Sequence, residues 1–267
     1  MKEWLDVCRA AVADVERALA ELPRRSDREP VVGAGLGGDD TTAIDAAAEL
    51  AIVGRLEALH GQGHAFTLLS EELGERRFGE SRTRVVVDPI DGSNNAKRDI
   101  RFFSFSLAVA EGETMGDVVF GFVHDFGTGE EWTAERGHGA RLNGTALDGD
   151  DPKAALEMVA FEATETVTIA EYASRMVGVA ERLRVMGSLA LSLCHLADGR
   201  LDGVCSLKGC RAVDIAAAQL VIRERGFAVE LPDDPPLNAA PLDNVKRSRV
   251  VAARNPELCE RIYSALR

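Results

Sequence analysis

The chain has 267 residues, 46% of them hydrophobic, with 25 glycines and a formal net charge of −13. That length suits one large domain or two closely packed halves, and the composition is too apolar for a disordered protein. The acidity argues against nucleic acid as a partner, because a phosphate backbone needs clustered Lys and Arg, whereas an anionic small molecule can still bind if divalent cations are recruited first.

Trp4, Leu5, Cys8, Ala11, Val12, Val15 and Leu19 recur at helical spacing and predict an amphipathic first helix. Glu3 and Asp6 stand where a signal peptide would be basic and then apolar, and no apolar run approaches the ~18 residues of a membrane span. A cytoplasmic protein without membrane attachment is expected. A polar, glycine-rich connection follows, and Gly33-Ala34-Gly35-Leu36-Gly37-Gly38 within it formally matches the dinucleotide fingerprint GxGxxG. That fingerprint works between a strand and the helix it opens. Only Val31 and Val32 precede it here, and Asp39 and Asp40 follow where a pyrophosphate would want neutral amides. A flexible loop is the better reading.

A second helix is predicted from about Thr42 to His60, then a short strand in "HAFTLLSEELGE" and a buried strand in "RTRVVVDPID". "FFSFSLAVAEGE" and "GDVVFGFVHDFGTGEEWTAERGHGARLNG" read as strands joined by turns, with a hairpin turn over residues 125–130. From about residue 150 the pattern alternates: a strand in "LEMVAFEA", a helix over 167–181, "LRVMGS", a helix over 188–198, "LDGVCSL", a helix from about Val213, and "FAVEL". A proline-rich loop leads to a last strand in "SRVVAAR" and a terminal helix. This predicts an N-terminal α+β half, residues 1–148, and a C-terminal α/β half, residues 149–267, with no flexible linker. The five cysteines are scattered, with neither CxxC nor a paired Cys/His set, so structural zinc is not expected. The histidines have no local partner spacing and read as structural or surface residues.

The chemistry concentrates in Val85-Val-Val-Asp88-Pro-Ile-Asp91-Gly92-Ser93. Asp91-Gly92 alone could be a turn. That leaves Asp88 unexplained, since it ends a strand and precedes a proline. Pro89 holds Asp88 extended, and Asp88 and Asp91 then converge. Two converging carboxylates repel unless one is protonated or cations lie between them. Gly92 lets backbone N–H groups approach an anion, and a helix opening near Ser93 would add its N-terminus. Carboxylates for a hard cation beside amides for a phosphate suit metal-assisted phosphoryl chemistry.

Asp88-Pro-Ile-Asp91-Gly92-Ser93 resembles the signature of the inositol monophosphatase family, Mg²⁺-dependent, lithium-sensitive phosphomonoesterases that include archaeal enzymes acting on both fructose 1,6-bisphosphate and inositol 1-phosphate. Three further segments follow the family's order. Thr42-Ala-Ile-Asp45 is by itself a plausible capping box; it resembles the family's Thr-x-x-Asp, whose aspartate orients the attacking water with the signature hydroxyl, here Ser93. Ser70-Glu71-Glu72 could be a solvated acidic pair; in the family the first such glutamate ligates metal and positions water. Val213-Asp214-Ile215-Ala-Ala-Ala could be an ordinary N-terminal acid; it resembles the second signature, with valine in place of the usual tryptophan.

The resemblance implies a layered α-β-α-β-α sandwich. It implies that Glu71, Asp88 and the carbonyl of Ile90 hold one Mg²⁺, that Asp88, Asp91 and Asp214 hold a second, and that a third, weaker ion is possible near Glu71, with Mn²⁺ able to substitute. Asp45, Glu71 and Ser93 would be the catalytic groups. Asp91, Gly92, Ser93 and Ser188 would meet the phosphoryl group or substrate. Family members specific for inositol phosphate carry a glutamate shortly before the second signature, where this chain has Ser206-Leu-Lys208-Gly-Cys-Arg211. Lys208 and Arg211 would favour a further negative group on the substrate, or else are surface cations. Fructose 1,6-bisphosphate and inositol 1-phosphate are therefore expected substrates, with NADP or 3′-phosphoadenosine 5′-phosphate as an alternative. A non-catalytic phosphosugar-binding protein could keep the same ligands but would not need Asp45 and Ser93. The expected partner is a small phosphorylated metabolite, and the expected assembly a homodimer.

Overall fold

The structure, a computed structural model, describes residues 2–35, 40–149, 155–162, 165–233, 235–245 and 247–267. Helix α1 (Lys2–Glu21) buries Cys8, Ala11, Val12, Val15 and Leu19, the stripe its spacing predicts. The connection is more ordered than its composition suggests. It contains a short helix α2 (Arg25–Arg28) and a ribbon of β1 (Val31–Ala34) paired antiparallel with β2 (Asp40–Thr42). Gly33 and Ala34 thus belong to a strand rather than a loop, while residues 36–39 lie outside the described residues. Helix α3 (Ala43–Gly61) opens on the Thr42/Asp45 capping box.

Strands β3 (Phe66–Ser70), β4 (Gly74–Phe78) and β5 (Arg84–Asp91) follow, then the single-turn helix α4 (Ser93–Lys97). β6 (Ser104–Ala110), β7 (Val118–Asp125), β8 (Glu131–Glu135), β9 (Ala140–Leu142) and β10 (Thr145–Ala146) complete an eight-stranded sheet. Its order is β10-β9-β8-β7-β6-β5-β3-β4, with β3 and β5 parallel and the other neighbours antiparallel. β5 and β6 are buried from end to end save the termini of β5, as fits strands covered on both faces.

The second half contains β11 (Met158–Glu162), α5 (Thr166–Arg175), β12 (Arg182–Arg184), α6 (Leu189–Ala197), β13 (Gly203–Ser206), α7 (Ala212–Glu224), β14 (Ala228–Glu230), β15 (Val251–Ala253) and α8 (Pro256–Leu266). Its five strands run β12-β11-β13-β15-β14, and β11 pairs parallel with both neighbours. The helix expected over 167–181 stops at Arg175, because Gly178 takes a φ of +80° that an α-helix cannot continue through. The helix expected over 188–198 spans Leu189–Ala197, with the Ser188 side chain accepting from the Leu191 N–H.

Three apolar clusters define five layers. α1 and α3 pack on one face of the large sheet around Phe66, Phe105 and Phe122. α6 and α7 fill the space between the two sheets, with Trp132 and Met115 among the buried contacts. α5 and α8 cover the outer face of the small sheet around Phe161 and Ile262. This is the α-β-α-β-α sandwich. α7 has ten buried residues and an alanine-rich face, because it must lie close against sheet on either side. At Gly121 of β7 an added Cβ would lie 2.6 Å from the Ala217 carbonyl oxygen, so the close approach of α7 requires glycine there.

Candidate active site

β5 carries two of the candidate carboxylates, and the way it leaves its sheet sets their direction. Asp88 pairs with Ser106 and Asp91 with Ser104, and the register between these pairs is irregular. Pro89 has no N–H to give the ladder, so Pro89 and Ile90 leave the pairing with β6 while remaining buried. The Ile90 N–H donates to Asp88 Oδ1 at 3.1 Å, and the Ser93 hydroxyl donates to the Ile90 carbonyl oxygen at 3.0 Å. The turn then reaches Gly92, whose φ of +95° is open to glycine. A Cβ there would lie 3.1 Å from the Gly187 carbonyl oxygen and 3.2 Å from that of Phe102. α4 begins at the next residue.

Asp91 is fixed from the second half of the chain. Its Oδ2 accepts from the Ser188 hydroxyl at 2.5 Å and from the Ala190 N–H at 2.8 Å, at the positive end of α6. Burial nevertheless pushes its carboxyl up to about 7, those two donors only partly offsetting it and Asp214 adding to it. Asp88 is also driven well above the usual carboxylate range, first by burial and then by the charges of Glu71, Asp91 and Asp214. Glu71, just after β3, is raised by burial and pulled back by Arg211. Asp214 sits in the first turn of α7 and accepts from the Arg211 N–H at 2.6 Å. Burial, with the charges of neighbouring carboxylates added to it, thus raises the proton affinity of Glu71, Asp88 and Asp91, and Asp214 is one of the charges acting on all three. A hard divalent cation reverses that cost, and an oxygen-only set of carboxylates with a bulged carbonyl fits such an ion.

Asp45 lies 4% exposed on the first turn of α3. Its Oδ2 accepts from the Thr42 N–H at 3.2 Å and from the Thr42 hydroxyl, with Lys97 Nζ 4.0 Å away. Its Oδ1 is buried with no hydrogen-bond partner, so one lone-pair face remains available to a water. Asp45 is paired with Thr42, and Ser93 with Ile90; each is held by its own neighbour.

The two candidate substrate cations part company. Lys208 is exposed, and its carbonyl accepts from the Ser206 hydroxyl at 2.6 Å. Arg211, expected to face either a substrate anion or solvent, turns inward instead. Its Nη2 donates to Glu71 Oε1 and lies 3.4 Å from Asp214 Oδ1. The reason is electrostatic: the carboxylate cluster is the nearest strong negative field to the start of α7.

Several residues at the site were not singled out from sequence. Lys97, which links α4 to α3 through Asp45, lies within one turn of Ser93, which is a usable signal. Asn95 clips the loops together by donating to the Phe102 and Met186 carbonyls, each at 2.8 Å. Glu162, buried at the end of β11, accepts from the Gly187 N–H at 2.9 Å and the Ser192 hydroxyl at 2.5 Å. It thereby fixes the segment from which Ser188 and Ala190 reach Asp91. Its partners lie 25 and 30 residues away, so no local pattern announces it.

A separate group, Asp125, Glu130 and His195, brings its ligand atoms within 4.8 Å of one another. His195 is thus more than a dispersed histidine. A guanidinium already occupies this place: Arg200 donates to both Glu130 oxygens at 2.6 and 2.5 Å and lies 3.3 Å from His195 Nε2. Asp125 accepts from the Gly127 N–H and the Thr128 hydroxyl, both at 2.7 Å. The group reads as an ionic hub that holds the 125–130 turn to α6.

A sandwich of two sheets about a helical layer, with acids from three elements gathered beside a glycine turn, defines a carboxylate-centred phosphatase scaffold. The sequence pattern of the inositol monophosphatase family matches residues 4–267, and the chain belongs to that family. By class it is a phosphoric monoester hydrolase of a family that is generally metal-dependent, with magnesium typical. A fructose-1,6-bisphosphatase/inositol-1-monophosphatase of Methanothermobacter thermautotrophicus is 35% identical, the match covering 98% of this chain and 96% of that protein. A bifunctional NADP phosphatase/NAD kinase of Methanococcus maripaludis is 26% identical over 85% of this chain and 43% of its own length. Among solved structures, an inositol monophosphatase–fructose 1,6-bisphosphatase superimposes with a TM-score of 0.84 at 26% identity, covering 98% of this chain and 99% of that one. Among the described residues, no helix is long and apolar enough to cross a membrane.

Proposed function

We propose that this protein hydrolyses a small phosphomonoester with Mg²⁺, with fructose 1,6-bisphosphate, inositol 1-phosphate or both as substrate. The observation that carries the reading is the convergence of Glu71, Asp88, Asp91 and Asp214: Asp88 has its proton affinity raised first by burial and then by the charges of the other three. Glu71, Asp88 and the Ile90 carbonyl would hold one ion, and Asp88, Asp91 and Asp214 a second. Bound there, the metals supply an activated water and neutralise charge on the phosphoryl group and leaving oxygen. Mn²⁺ can take the same oxygen set.

The chain's own residues do the rest. The free face of Asp45 accepts a hydrogen bond from the attacking water and orients it together with the Ser93 hydroxyl. The backbone N–H groups of Gly92 and Ser93 face the phosphoryl oxygens and stabilise the charge that builds on them. α6, through Ser188 and Ala190, keeps one oxygen of Asp91 occupied so that the other is presented to the metal. Lys208, exposed near the ends of β11 and β13, favours a substrate with a second negative group, which supports fructose 1,6-bisphosphate over inositol 1-phosphate.

A nucleotide substrate, NADP or 3′-phosphoadenosine 5′-phosphate, is the second reading; it has the name of the Methanococcus relative in its favour. We place the enzyme in the cytoplasm, as a homodimer. The test is Mg²⁺-dependent phosphate release from fructose 1,6-bisphosphate, inositol 1-phosphate, NADP and 3′-phosphoadenosine 5′-phosphate, with wild type and Lys208→Ala. Preference for fructose 1,6-bisphosphate that weakens in Lys208→Ala supports the first reading. Turnover confined to the nucleotides selects the second, and absence of turnover on all four refutes both.

A further inference from the structure

Arg211 stands where its sequence position gives no warning of it, between two carboxylates from different layers. Its backbone N–H holds Asp214 Oδ2 at 2.6 Å, while its guanidinium donates to Glu71 Oε1 and lies 3.4 Å from Asp214 Oδ1. Glu71 is 140 residues away and follows β3 of the large sheet, whereas Asp214 belongs to α7. Arg211 is 8% exposed, so solvent and salt screen these contacts little. The guanidinium is planar, permanently charged and forked, and it matches carboxylates closely. A hard divalent ion also takes carboxylate oxygens, at roughly 2.0–2.1 Å for Mg²⁺. Arg211 therefore draws on one carboxylate of each proposed ion, Glu71 of the first set and Asp214 of the second.

We propose that Arg211 is an internal competitor for the metals: its guanidinium bridges Glu71 and Asp214, one carboxylate from each ion's ligand set, and each ion gains its carboxylate as the guanidinium releases it. The proposal rests on the ligand set of the preceding section. Linkage makes the competition reciprocal, so the factor by which Arg211 weakens the metal is the factor by which the metal loosens Arg211. The arrangement gives the carboxylate cluster a resident counter-charge and sets a threshold of metal concentration for activity.

The experiment titrates Mn²⁺ alone, by calorimetry, into the full-length protein after chelation and dialysis, for wild type, Arg211→Met and Arg211→Lys. Methionine keeps an apolar stem and removes the charge; lysine keeps the charge without the fork. Arg211→Met is expected to bind Mn²⁺ more tightly by roughly 5- to 150-fold, the usual span of coupling between sites, with Arg211→Lys nearer wild type. Thermal melting gives a second readout. At pH 8 in chelator Arg211→Met should melt below wild type, and saturating Mn²⁺ should close the gap. Equal or weaker Mn²⁺ binding by a folded Arg211→Met, or a melting gap that Mn²⁺ leaves unchanged, overturns the proposal, because the guanidinium would then be a fixed strut. Asp88→Asn separates the two levels. Undiminished Mn²⁺ binding in Asp88→Asn refutes the ligand set and the competition together. Loss of binding there, with unchanged affinity in Arg211→Met, refutes the competition alone.

Discussion

Replacing Gly92 with alanine tests whether the turn after Asp91 must have the shape described. Two costs combine. A φ of +95° is unfavourable for any residue with a Cβ, by about 1–2 kcal/mol. The new Cβ would also meet the Gly187 oxygen at 3.1 Å, the Phe102 oxygen at 3.2 Å and Phe103 Cβ at 3.3 Å. Two of these are backbone carbonyls, which cannot rotate aside as a side chain would, so the turn itself must give way, at about 1–2 kcal/mol more. The sum, about 2–4 kcal/mol, corresponds to a melting temperature lowered by roughly 4–8 °C for a chain of this size. Any shift moves Asp91 and the Ser93 amide together, and misplacement approaching 1 Å at a reacting centre costs on the order of 100-fold in rate. Gly129→Ala is the control: its φ is +77°, yet nothing lies within 4 Å of its Cβ. It should lose about 1–2 kcal/mol and no turnover. Phosphate release and thermal melting of both variants decide the matter. A Gly92→Ala enzyme with wild-type turnover, or one no less stable than Gly129→Ala, would mean that close packing of this turn is not required.

Asp45→Asn should lower turnover by roughly 10²- to 10⁴-fold while Mn²⁺ affinity by calorimetry stays near wild type, and unchanged turnover would remove Asp45 from the chemistry. Because burial holds the Asp91 carboxyl at about 7, Mg²⁺ affinity should rise as pH climbs through that value, with protons released on binding. Calorimetry in buffers of differing ionisation enthalpy reads the release, and a pH-independent affinity between 5 and 8 would contradict it. The same raised group gives the chelated protein stability that is full below the ordinary aspartate range and is lost as pH rises towards 7, since the folded state keeps a proton the unfolded chain has given up. Glu162→Ala should weaken Mn²⁺ binding through the Gly187–Ala190 segment, and that loss should largely vanish in a Ser188→Ala background. Additive losses in the double mutant would show that Glu162 does not act through Ser188.

How much of this was legible depended on the distance over which each feature is encoded. Asp88, Asp91, Gly92 and Ser93 are contiguous, and a strand that ends in Asp-Pro constrains its own exit. The Thr42/Asp45 capping box and the Ser188 cap likewise lie within four residues, and both helices start where those signals place them. The β1–β2 ribbon was missed because its strands are only four and three residues long, β1 is exposed throughout, and neither carries an alternation of apolar and polar residues. The helix after Glu165 was drawn too long because Met176, Val177 and Val179 keep an apolar rhythm across Gly178, where the backbone has already turned. Glu162 and the inward turn of Arg211 depend on partners 25 to 140 residues distant, and only the packed fold decides them.

The position of the carboxylates between layers has an energetic consequence. Glu71, Asp88 and Asp91 belong to strands of the large sheet or the residues that end them, while Asp214 rides on α7 and Asp91 is clamped by α6. An ion held by both sets ties the middle helical layer to the sheet it covers, and any ligand bound by the folded chain alone stabilises it by mass action. The repulsion among those carboxylates opposes the same docking when no cation intervenes. Arg211, contributed by the middle layer and reaching across to Glu71, relieves that repulsion from within. Stability and chemistry at this site therefore draw on one quantity, the positive charge available to the carboxylates of β3, β5 and α7.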